Sequence, residues 1–339
     1  MGDSARLGGF KILKDVCRIA LASPNDTGRL PVGLFRVIAE NRINLPYLTL
    51  VSDSSFWGVN IVVEAGDLDK ICRLIEEIHG KAFTVNSRSA ILSVFPHRRN
   101  PDISGRLFEA FDQQGLEPEA LANSPSAISV VVTEELISSA SRALFEPFSF
   151  GAYRTPEDWK LAQKGKEQLY KEVVASYQEK KPGVYGLECH EAQEFIRMKV
   201  DRHDVAHVGS SLRGFARLGL DLTFLASSPC RDRGVESLAL CLHSSESETY
   251  RGAIQRIAPD MEIRTVSPVM TFSMNGPHFG DRYGIASELL SSLDRWEVGL
   301  LALSCTVASI TGVVSHDQKE TAFQAIQDCF EIPSITKSE

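Results

Sequence analysis

The chain has 339 residues, of which 43% are hydrophobic and 24% charged, values typical of a folded protein. Its formal net charge of −8 argues against a surface for nucleic acid or for an anionic membrane. No signal-peptide-like run opens the sequence, and no uninterrupted apolar stretch reaches membrane-spanning length. Seven scattered cysteines without a Cys-x-x-Cys pair are typical of reduced thiols. We therefore expect a cytoplasmic protein of two or more domains, without nucleic-acid or membrane partners.

Short β-branched runs and apolar residues at helical spacing divide most of the chain into four segments with a common order of elements. The first segment covers residues 14–87. Its predicted elements are strand 17–22, a helix over residues 32–39, strands 45–51 and 56–63, helix 67–79 and strand 81–85. The order strand, helix, strand, strand, helix, strand is that of the ferredoxin-like βαββαβ unit.

The second segment, residues 88–150, has the same predicted order of elements. Strand 90–95 is followed by a helix between Asp102 and Gly115, by strands 117–124 and 127–132, by helix 134–144 and by a strand near Phe148. Asp102 stands where a helix N-cap is needed, and Gly115 supplies a left-handed residue at the end of the helix.

Residues 151–188 interrupt this pattern and predict a helical linker. Thr155 and Pro156 suit the cap and first residue of a helix, and bulky side chains follow on one face. The helix either connects the two halves while lying on the body of the protein, or docks a second subunit or partner through Trp159, Tyr170 and Tyr177.

The third segment, residues 189–267, and the fourth, residues 268–335, follow the same order again. The second and fourth match most closely, because Asp102-x-x-Gly105 corresponds to Asp281-x-x-Gly284 and Ile128-Ser129 to Ile310-Thr311. The chain is therefore predicted to be a duplicated pair. The expected fold class is α+β, with four ferredoxin-like βαββαβ repeats arranged as two pairs and antiparallel sheets that carry helices on one face.

Two motifs of the second segment carry a family resemblance: Gly105-Arg106-Leu107-Phe108-Glu109-Ala110-Phe111 and Ala127-Ile128-Ser129-Val130-Val131-Val132. This pair resembles the ACT repeats in the regulatory region of aspartokinases, and the repeat order extends the resemblance over residues 14–148 and 191–335. The Lys-Phe-Gly-Gly type of motif that opens the kinase lobe is absent, so we expect repeats without a kinase domain. The resemblance implies sheets paired side by side, often across a dimer. It also implies a free amino acid bound between the loop before one unit's first helix and a neighbour's second strand.

Chemistry alone points to the same loops. A free amino acid needs a carboxylate for its ammonium group and backbone amides, such as those of a helix N-terminus, for its carboxylate. The candidate ligand-binding residues are Asn25, Asp26, Thr27, Asn44, Asn100, Asp102, Ser129, Asn275, His278 and Asp281. Each aspartate also suits plain helix capping, and Asn44 either binds the ligand or caps the turn into its strand. The glycine-rich loop 275–283 either cradles a ligand or forms a turn at a subunit contact.

Catalytic signatures are missing from the sequence. It contains neither Gly-x-x-x-x-Gly-Lys-[Ser/Thr] nor Gly-x-Gly-x-x-Gly, and no nucleophile elbow. His203 and His207 have a spacing that suits one helix face, but solvated loop histidines are the expectation. The sequence therefore predicts no cofactor, no metal site and no enzymatic activity.

The leading interpretation is a non-catalytic regulatory protein that binds a free amino acid, lysine, threonine or similar, at interfaces between repeats. Binding would favour one packing of the sheets, which a partner enzyme would read. The alternative is a structural or accessory subunit with degenerate sites, because the family's Ile-Asn-Ile motif survives only as Ile43-Asn44-Leu45. A homodimer is expected, since exposed edge strands pair readily.

Overall fold

The computed structural model describes residues 4–24, 30–52, 56–151, 153–163, 181–201, 205–230, 235–246, 250–252, 263–276, 279, 282–306 and 309–338. The strands are β1 (Ala5–Leu7), β2 (Gly9–Pro24), β3 (Tyr47–Ser52), β4 (Phe56–Glu64), β5 (Phe83–Phe95), β6 (Ala120–Asn123), β7 (Ile128–Thr133), β8 (Phe148–Phe150), β9 (Gly186–Asp201), β10 (Phe224–Pro229), β11 (Val235–His243), β12 (Ile263–Asn275), β13 (Leu300–Thr306), β14 (Ser309–Ser315) and β15 (Ile335–Ser338). The α-helices are α1 (Val32–Glu40), α2 (Leu68–His79), α3 (Pro101–Gln113), α4 (Ile137–Ala143), α5 (Pro156–Gln163), α6 (Val205–Arg217), α7 (Ile285–Arg295) and α8 (Lys319–Cys329).

One large sheet contains every described strand except β1 and β8, which form a separate parallel pair. Its order is β11-β10-β6-β7-β5-β2-β4-β3-β13-β14-β12-β9-β15, and β11 also pairs with β9. This last pairing closes the sheet on itself, and β15 lies outside the ring as a parallel neighbour of β9. The ladders within the ring are antiparallel, so the predicted α+β class with antiparallel sheet is confirmed at that level.

The first and third segments place their strands in the order that a ferredoxin-like unit requires. In the first, β5, β2, β4 and β3 are neighbours in that sequence, and in the third β12, β9, β11 and β10 are. The first strand of each segment therefore lies between its third and fourth strands.

The second and fourth segments differ from the prediction at their closing strands. The place beside β5 is taken by residues 9–13 of β2, and β8 instead pairs with β1. In the same way residues 186–190 of β9 occupy the place beside β12, and β15 lies beyond them. The expected closing strand near Phe148 is thus present but lies outside the large sheet.

Long bulged strands explain this exchange. β5 and β12 each run without a break through the predicted segment boundaries at 87/88 and 267/268. Their partners β2 and β9 have register shifts at Asp15 and Ala192, which adopt positive φ angles of 58° and 52°. A bulge bends a strand locally, so one long strand serves two neighbouring segments.

The sheets of different segments join side by side within the single chain. β3 pairs with β13, and β10 pairs with β6, so the first segment adjoins the fourth and the second adjoins the third. Helix α1 packs against α7, and α3 packs against α6. We call the contact of β3, β13, α1 and α7 the first–fourth junction, and that of β6, β10, α3 and α6 the second–third junction.

Burial divides the core according to these junctions. One apolar cluster combines the helices and sheet faces of the first and fourth segments, and a second combines those of the second and third. The opposite sheet faces form a third cluster of strand residues only, including Tyr47, Phe195 and Phe224. Each sheet therefore carries its helices on one face, and burial of apolar area on both faces holds the layers together.

The linker helix α5 begins as predicted. Asp158 donates its backbone N–H to the Thr155 hydroxyl at 3.1 Å, and the Asp158 carboxylate accepts from the Thr155 N–H at 3.1 Å. The Trp159 ring stacks on Phe10 with 4.7 Å between centroids, which places this part of the helix on the body of the protein. Tyr170 and Tyr177 lie outside the described residues.

The seven cysteines are free thiols. Over the described part of the chain, no helix has both the length and the apolar character needed to cross a membrane.

Candidate functional site

A cleft opens at the first–fourth junction, between α1 with the residues that follow it and the start of α7. It is shallow, and its enclosed part measures only about 20 Å³. The first segment lines it with apolar side chains only: Phe35, Ile38, Ala39, Ile43 and Leu45. Contacts between two units are a common place for a small-molecule site.

The fourth segment contributes the polar end of the cleft, which is the N-terminus of α7. Gly284 occupies the N-cap position with a φ of 90°, and no described side chain caps the helix. The first intrahelical bond runs from the Glu288 amide to the Gly284 carbonyl at 2.9 Å. The amides of residues 285–287, which all line the cleft, precede Glu288, the first intrahelical donor, and carry the positive end of the helix.

Arg282 adds a positive charge at the same end. Its guanidinium lies 3.5 Å from the Glu288 carboxylate, and both side chains keep partial contact with solvent. Burial raises the pKa of Glu288, and the nearby Arg282 opposes that rise. The helix N-terminus and Arg282 together create a site that attracts a carboxylate.

Cys305 and Ile310 line the cleft from β13 and β14. Both side chains are buried, and burial raises the pKa of the Cys305 thiol to about 12. The thiol therefore stays protonated near neutral pH and behaves as a small apolar group.

The second–third junction has the same parts, but there a loop of the protein's own contacts the residue that corresponds to Leu45. Leu222 corresponds to Leu45 in position. Each residue lies two positions before the second strand of its segment, β10 or β3. Each also lies three positions after a residue of positive φ, which is Gly219 for Leu222 and Arg42 for Leu45. The Leu222 amide donates to the Arg99 carbonyl at 2.8 Å, whereas no backbone carbonyl among the described residues accepts from the Leu45 amide. The protein's own loop thus fills the position that is open at the first–fourth junction.

Two further contacts hold that loop in place. Arg98 and Arg99 both have positive φ angles, 53° and 56°, and the Arg99 guanidinium forms an ion pair with Glu188 of β9. The Arg98 amide donates to the Pro125 carbonyl at 2.9 Å. The backbone strain of two left-handed non-glycine residues is therefore offset by contacts to the β6–β7 turn and to β9.

The N-terminus of α3 is also closed, unlike that of α7. Asn100 is the N-cap, and its side chain accepts from the Asp102 amide at 2.9 Å, while Pro101 has no N–H to satisfy. This corrects the prediction that Asp102 caps the helix. The Asp102 carboxylate instead pairs with Arg106 at 2.6 Å and with Arg213 of α6 at 3.2 Å.

The other predicted site residues lie in several places. Asn44 lies between Ile43 and Leu45, which both line the cleft. The Asn275 side chain accepts from the Ser309 hydroxyl at 2.5 Å, and the Ser129 hydroxyl bonds to Ser93 at 2.7 Å inside the sheet. Five others lie outside the described residues: Asn25, Asp26, Thr27, His278 and Asp281.

Sequence reasoning did not select several residues that line the cleft. Arg282 and Phe279 belong to the loop 275–283, which the sequence singled out through its glycines, and their side chains face the cleft beside Gly284. Phe35 and Ile38 read as ordinary core positions on α1, because an apolar stripe does not reveal which of its members borders a cleft.

Comparison with known proteins identifies the fold. No family model and no curated protein matches the chain. The crystal structure of aspartate kinase from Synechocystis superposes on 96% of this chain with a TM-score of 0.78 and 16% sequence identity. The chain has an aspartokinase-like fold. It spans 56% of the length of that kinase, and at this identity the likeness shows the fold alone.

Two other solved structures match smaller parts of the chain. The regulatory subunit of aspartate kinase from Thermus thermophilus covers 42% of it, at 19% identity and a TM-score of 0.38. Aspartokinase III from E. coli, in complex with aspartate and ADP, covers 45% at 13% identity and a TM-score of 0.35. Both scores are too low to extend the assignment.

One prediction is contradicted by this comparison. The sequence predicts a protein that is not an enzyme, yet the structure that matches nearly the whole chain is that of an enzyme. The prediction was wrong because it relied on missing short motifs, and such motifs identify only the reaction types for which they are known. The expected absence of a kinase domain stays a prediction. Among the described residues, no group of three or more His, Cys, Asp or Glu side chains could hold a metal ion.

Proposed function

We propose that this chain is a regulatory region of four ACT repeats that binds a free amino acid, or a related small carboxylate, in the first–fourth cleft. The observation that carries the proposal is the uncapped N-terminus of α7 beside Arg282, at a contact between two segments. That is the place where the family resemblance locates an effector, between the loop before one unit's first helix and a neighbour's second strand.

The geometry supports a specific orientation of the ligand. Its carboxylate accepts from the amides of residues 285–287 and from the Arg282 guanidinium. Its side chain lies against the apolar wall that α1 provides. The amide of Leu45, which borders the cleft, is a further donor.

A chain of contacts connects the cleft to the second–third junction. Ile310 lines the cleft, and the adjacent Ser309 hydroxyl lies 2.7 Å from the hydroxyl of Ser126. Ser126 belongs to the turn between β6 and β7, whose Pro125 carbonyl accepts from Arg98. A ligand that favours one position of β13 and β14 would shift the equilibrium between two packings of both junctions. The size of that shift is set by the difference between the ligand's affinities for the two packings.

The repeat boundaries belong to the same proposal. We place the repeats at 14–87, 88–150, 189–267 and 268–335, with the linker at 151–188 and with β5 and β12 shared across two boundaries. A second copy of the chain in a homodimer, or a partner enzyme, would bind differently to the two packings of these repeats.

A second candidate function is a structural or accessory subunit. The closed second–third junction favours it, because there the Arg99 carbonyl accepts the hydrogen bond from the Leu222 amide that a ligand would otherwise accept. In this reading the first–fourth cleft is a packing remnant and binds nothing.

Thermal unfolding in the presence of each of the twenty amino acids at millimolar concentration separates the two candidates. A ligand at about 100 times its dissociation constant stabilises the folded state by roughly 2.7 kcal/mol, which shifts the unfolding midpoint measurably. Arg282→Gln should weaken that binding by about tenfold or more, because a charge-assisted hydrogen bond contributes roughly 1.5–3 kcal/mol.

Arg295→Gln is the matched control, since Arg295 is exposed at the opposite end of the same helix. It should keep the full ligand-induced shift. A shift that survives Arg282→Gln would move the site away from the cleft, and the absence of a shift with every amino acid would favour the accessory subunit. An aspartate kinase assay with and without the stabilising amino acid then asks whether the bound state changes an activity.

A further inference from the structure

The strand joint of the second–third junction is short. Among the described residues its ladder has a single register pair, Ala226 of β10 with Ala122 of β6, whereas the joint between β3 and β13 has four. One residue further along β10, the Leu121 amide donates to the Ser227 hydroxyl at 3.0 Å instead of extending the ladder. The buried backbone carbonyls beside this single pair therefore need hydrogen-bond partners from elsewhere in the protein.

Those partners come from the opposite sheet. The Ser227 carbonyl accepts from the Thr49 hydroxyl at 2.6 Å and from the Asn60 side-chain amide at 3.1 Å. The Ser304 hydroxyl of β13 donates to the Asn123 carbonyl, at the end of β6, at 3.4 Å. Thr49 and Ser304 are themselves a register pair of the joint between β3 and β13. Two facing residues of one joint thus donate to both strands of the other, and we call Thr49, Ser304, Ser227 and Asn123 the cross-sheet contact.

Arg18 of β2 fixes the orientation of the Asn60 side chain. Its Nε and Nη2 atoms donate to the Asn60 Oδ1 atom at 3.0 and 2.6 Å, so the Asn60 NH₂ group is directed to Thr49, at 3.1 Å, and to Ser227. Arg18 also forms an ion pair with Glu236 of β11 at 3.6 Å. Arg18, Asn60 and Thr49 are buried, and hydrogen bonds away from water are electrostatically stronger than exposed ones.

The third segment is apolar at the equivalent positions. The equivalence follows from the two bulges, at Asp15 and Ala192, and from the register of the ladders that continue from them. The equivalent residues are Phe195 for Arg18, Ala239 for Asn60 and Ala226 for Thr49. All three belong to the apolar cluster between the sheets. The polar set is therefore not needed to fill this layer, and because burying charged and amide groups is costly, its presence in the first segment alone indicates a specific role.

We propose that the cross-sheet contact couples the two junctions, so that the joint between β6 and β10 is stable only while the joint between β3 and β13 is in place. Thr49 is the central residue, because its backbone belongs to the first–fourth joint and its hydroxyl bonds to the second–third joint. A shift of β3 moves this hydroxyl away from the Ser227 carbonyl and weakens the pairing of a buried acceptor. The coupling exists in the protein without ligand, so it does not depend on whether the first–fourth cleft binds an amino acid.

Native-state hydrogen exchange of the full chain, followed amide by amide, tests the coupling through Thr49→Val. The substitution nearly keeps the shape of the side chain and removes its hydroxyl. The amides of β6 and β10 should exchange about tenfold faster than in the parent, because loss of a donor to a buried carbonyl favours local opening. Their rates are compared with those of β12 and β14 in the same protein, so that a change in global stability cancels.

Thr311→Val is the matched control. Thr311 is as fully buried as Thr49, but its hydroxyl bonds to Ser273 at 3.1 Å within the fourth segment. This substitution should speed exchange in β12 and β14 and leave the β6 and β10 amides within about twofold of the parent. Exchange in β6 and β10 that rises equally in both variants, or that does not rise in Thr49→Val, would overturn the proposal.

A double-mutant cycle measured by urea unfolding gives a second readout. Thr49→Val and Ser227→Ala alter the cross-sheet contact from opposite sheets, since the Ser227 hydroxyl holds the Leu121 amide. Their effects on the unfolding equilibrium constant should deviate from a simple product by about threefold or more, whereas those of Thr311→Val and Ser227→Ala should multiply. Effects of Thr49→Val and Ser227→Ala that multiply would show two independent sites and so contradict the coupling.

Discussion

The two junctions have the same parts, yet one is open and the other closed. Each sets a β-strand edge against a β-strand edge and one helix against another. Between strand and helix the second segment has five residues, 96–100, and the fourth has nine, 276–284. The short loop brings the Arg99 carbonyl onto Leu222, while the longer one leaves a cleft beside Leu45. Loop length is therefore one difference between the two junctions.

The helices of the two junctions also approach each other differently. A Cβ atom added to Gly105 of α3 would lie 2.7 Å from the Gly209 carbonyl of α6 and 2.5 Å from the Arg213 side chain. At the first–fourth junction a Cβ added to Gly284 would lie 3.8 Å from the Cβ of Ala39 on α1, an ordinary van der Waals contact. The closed junction is therefore the one that depends on close backbone contact, and each of the following predictions acts on this contrast.

The largest effect is expected from Gly105→Ala. The new methyl group forces α3 and α6 apart, and overpacking of this kind costs about 1–3 kcal/mol even after the gain in helix propensity. Urea unfolding measures the change. Gly33→Ala is the matched control, and we expect it to stabilise the protein by up to about 1 kcal/mol, since it adds propensity without a clash. Equal effects of the two substitutions would show that Gly105 makes no close contact with α6.

A smaller, pH-dependent effect is expected from the ion pair that holds the closed loop. His190, whose Nε2 lies 3.3 Å from the carboxylate, and then Arg99 lower the pKa of Glu188 from 4.5 to about 2. Because the folded-state pKa is the lower one, this contribution is fully present above about pH 4.5 and is lost as the pH falls towards 2.

Glu188→Gln should therefore lower stability at neutral pH and reduce its loss on acidification. Urea unfolding of both proteins at neutral pH and at about pH 3 tests this, with Glu77→Gln, an exposed substitution on α2, as the control. If the free energy of unfolding depended on pH in the same way for the wild-type and Glu188→Gln proteins, the ion pair of Glu188 would not be what stabilises the closed junction.

The smallest effect is expected at the cap of α3. Asn100→Ala removes the hydrogen bond to the Asp102 amide and should cost about 1 kcal/mol. Gln113→Ala, exposed at the other end of the helix, should stay within about 0.5 kcal/mol of the parent. If amino acids stabilised the Asn100→Ala protein but not the parent, the cap itself would be what keeps this junction closed.

Local pattern predicted much of the secondary structure, because it depends on neighbouring residues. The strands around Ile61 and Val130 and the helix that contains Ile71 and Ile75 lie within a few residues of the predicted bounds. The features that the sequence did not predict depend on contacts between residues far apart in the chain. The strand at residues 9–13 contains Phe10, Ile12 and Leu13 but lies before the first predicted repeat, and it forms by pairing with β5 about 80 residues away in the chain.

The candidate site shows the same division. The sequence selected the loop 275–283 and the residues around Asn44 through their composition, and both border the cleft or flank residues that line it. It also selected Asn100 and Asp102, which share the composition of a ligand loop but act as a helix cap and an interhelical ion pair. A capping residue and a ligand-binding residue look alike in sequence, since both place a polar side chain before a helix.

The sequence by itself determined the α+β class of the fold, through hydrophobic periodicity. Only the tertiary structure decided which segments pair, where the long strands bend, and which junction stays open. The physical reason is that these features rest on contacts between distant residues, such as Arg99 with Leu222 and Ser126 with Ser309. No local pattern encodes such contacts, because each depends on the position of two chain segments that come together only in the closed sheet.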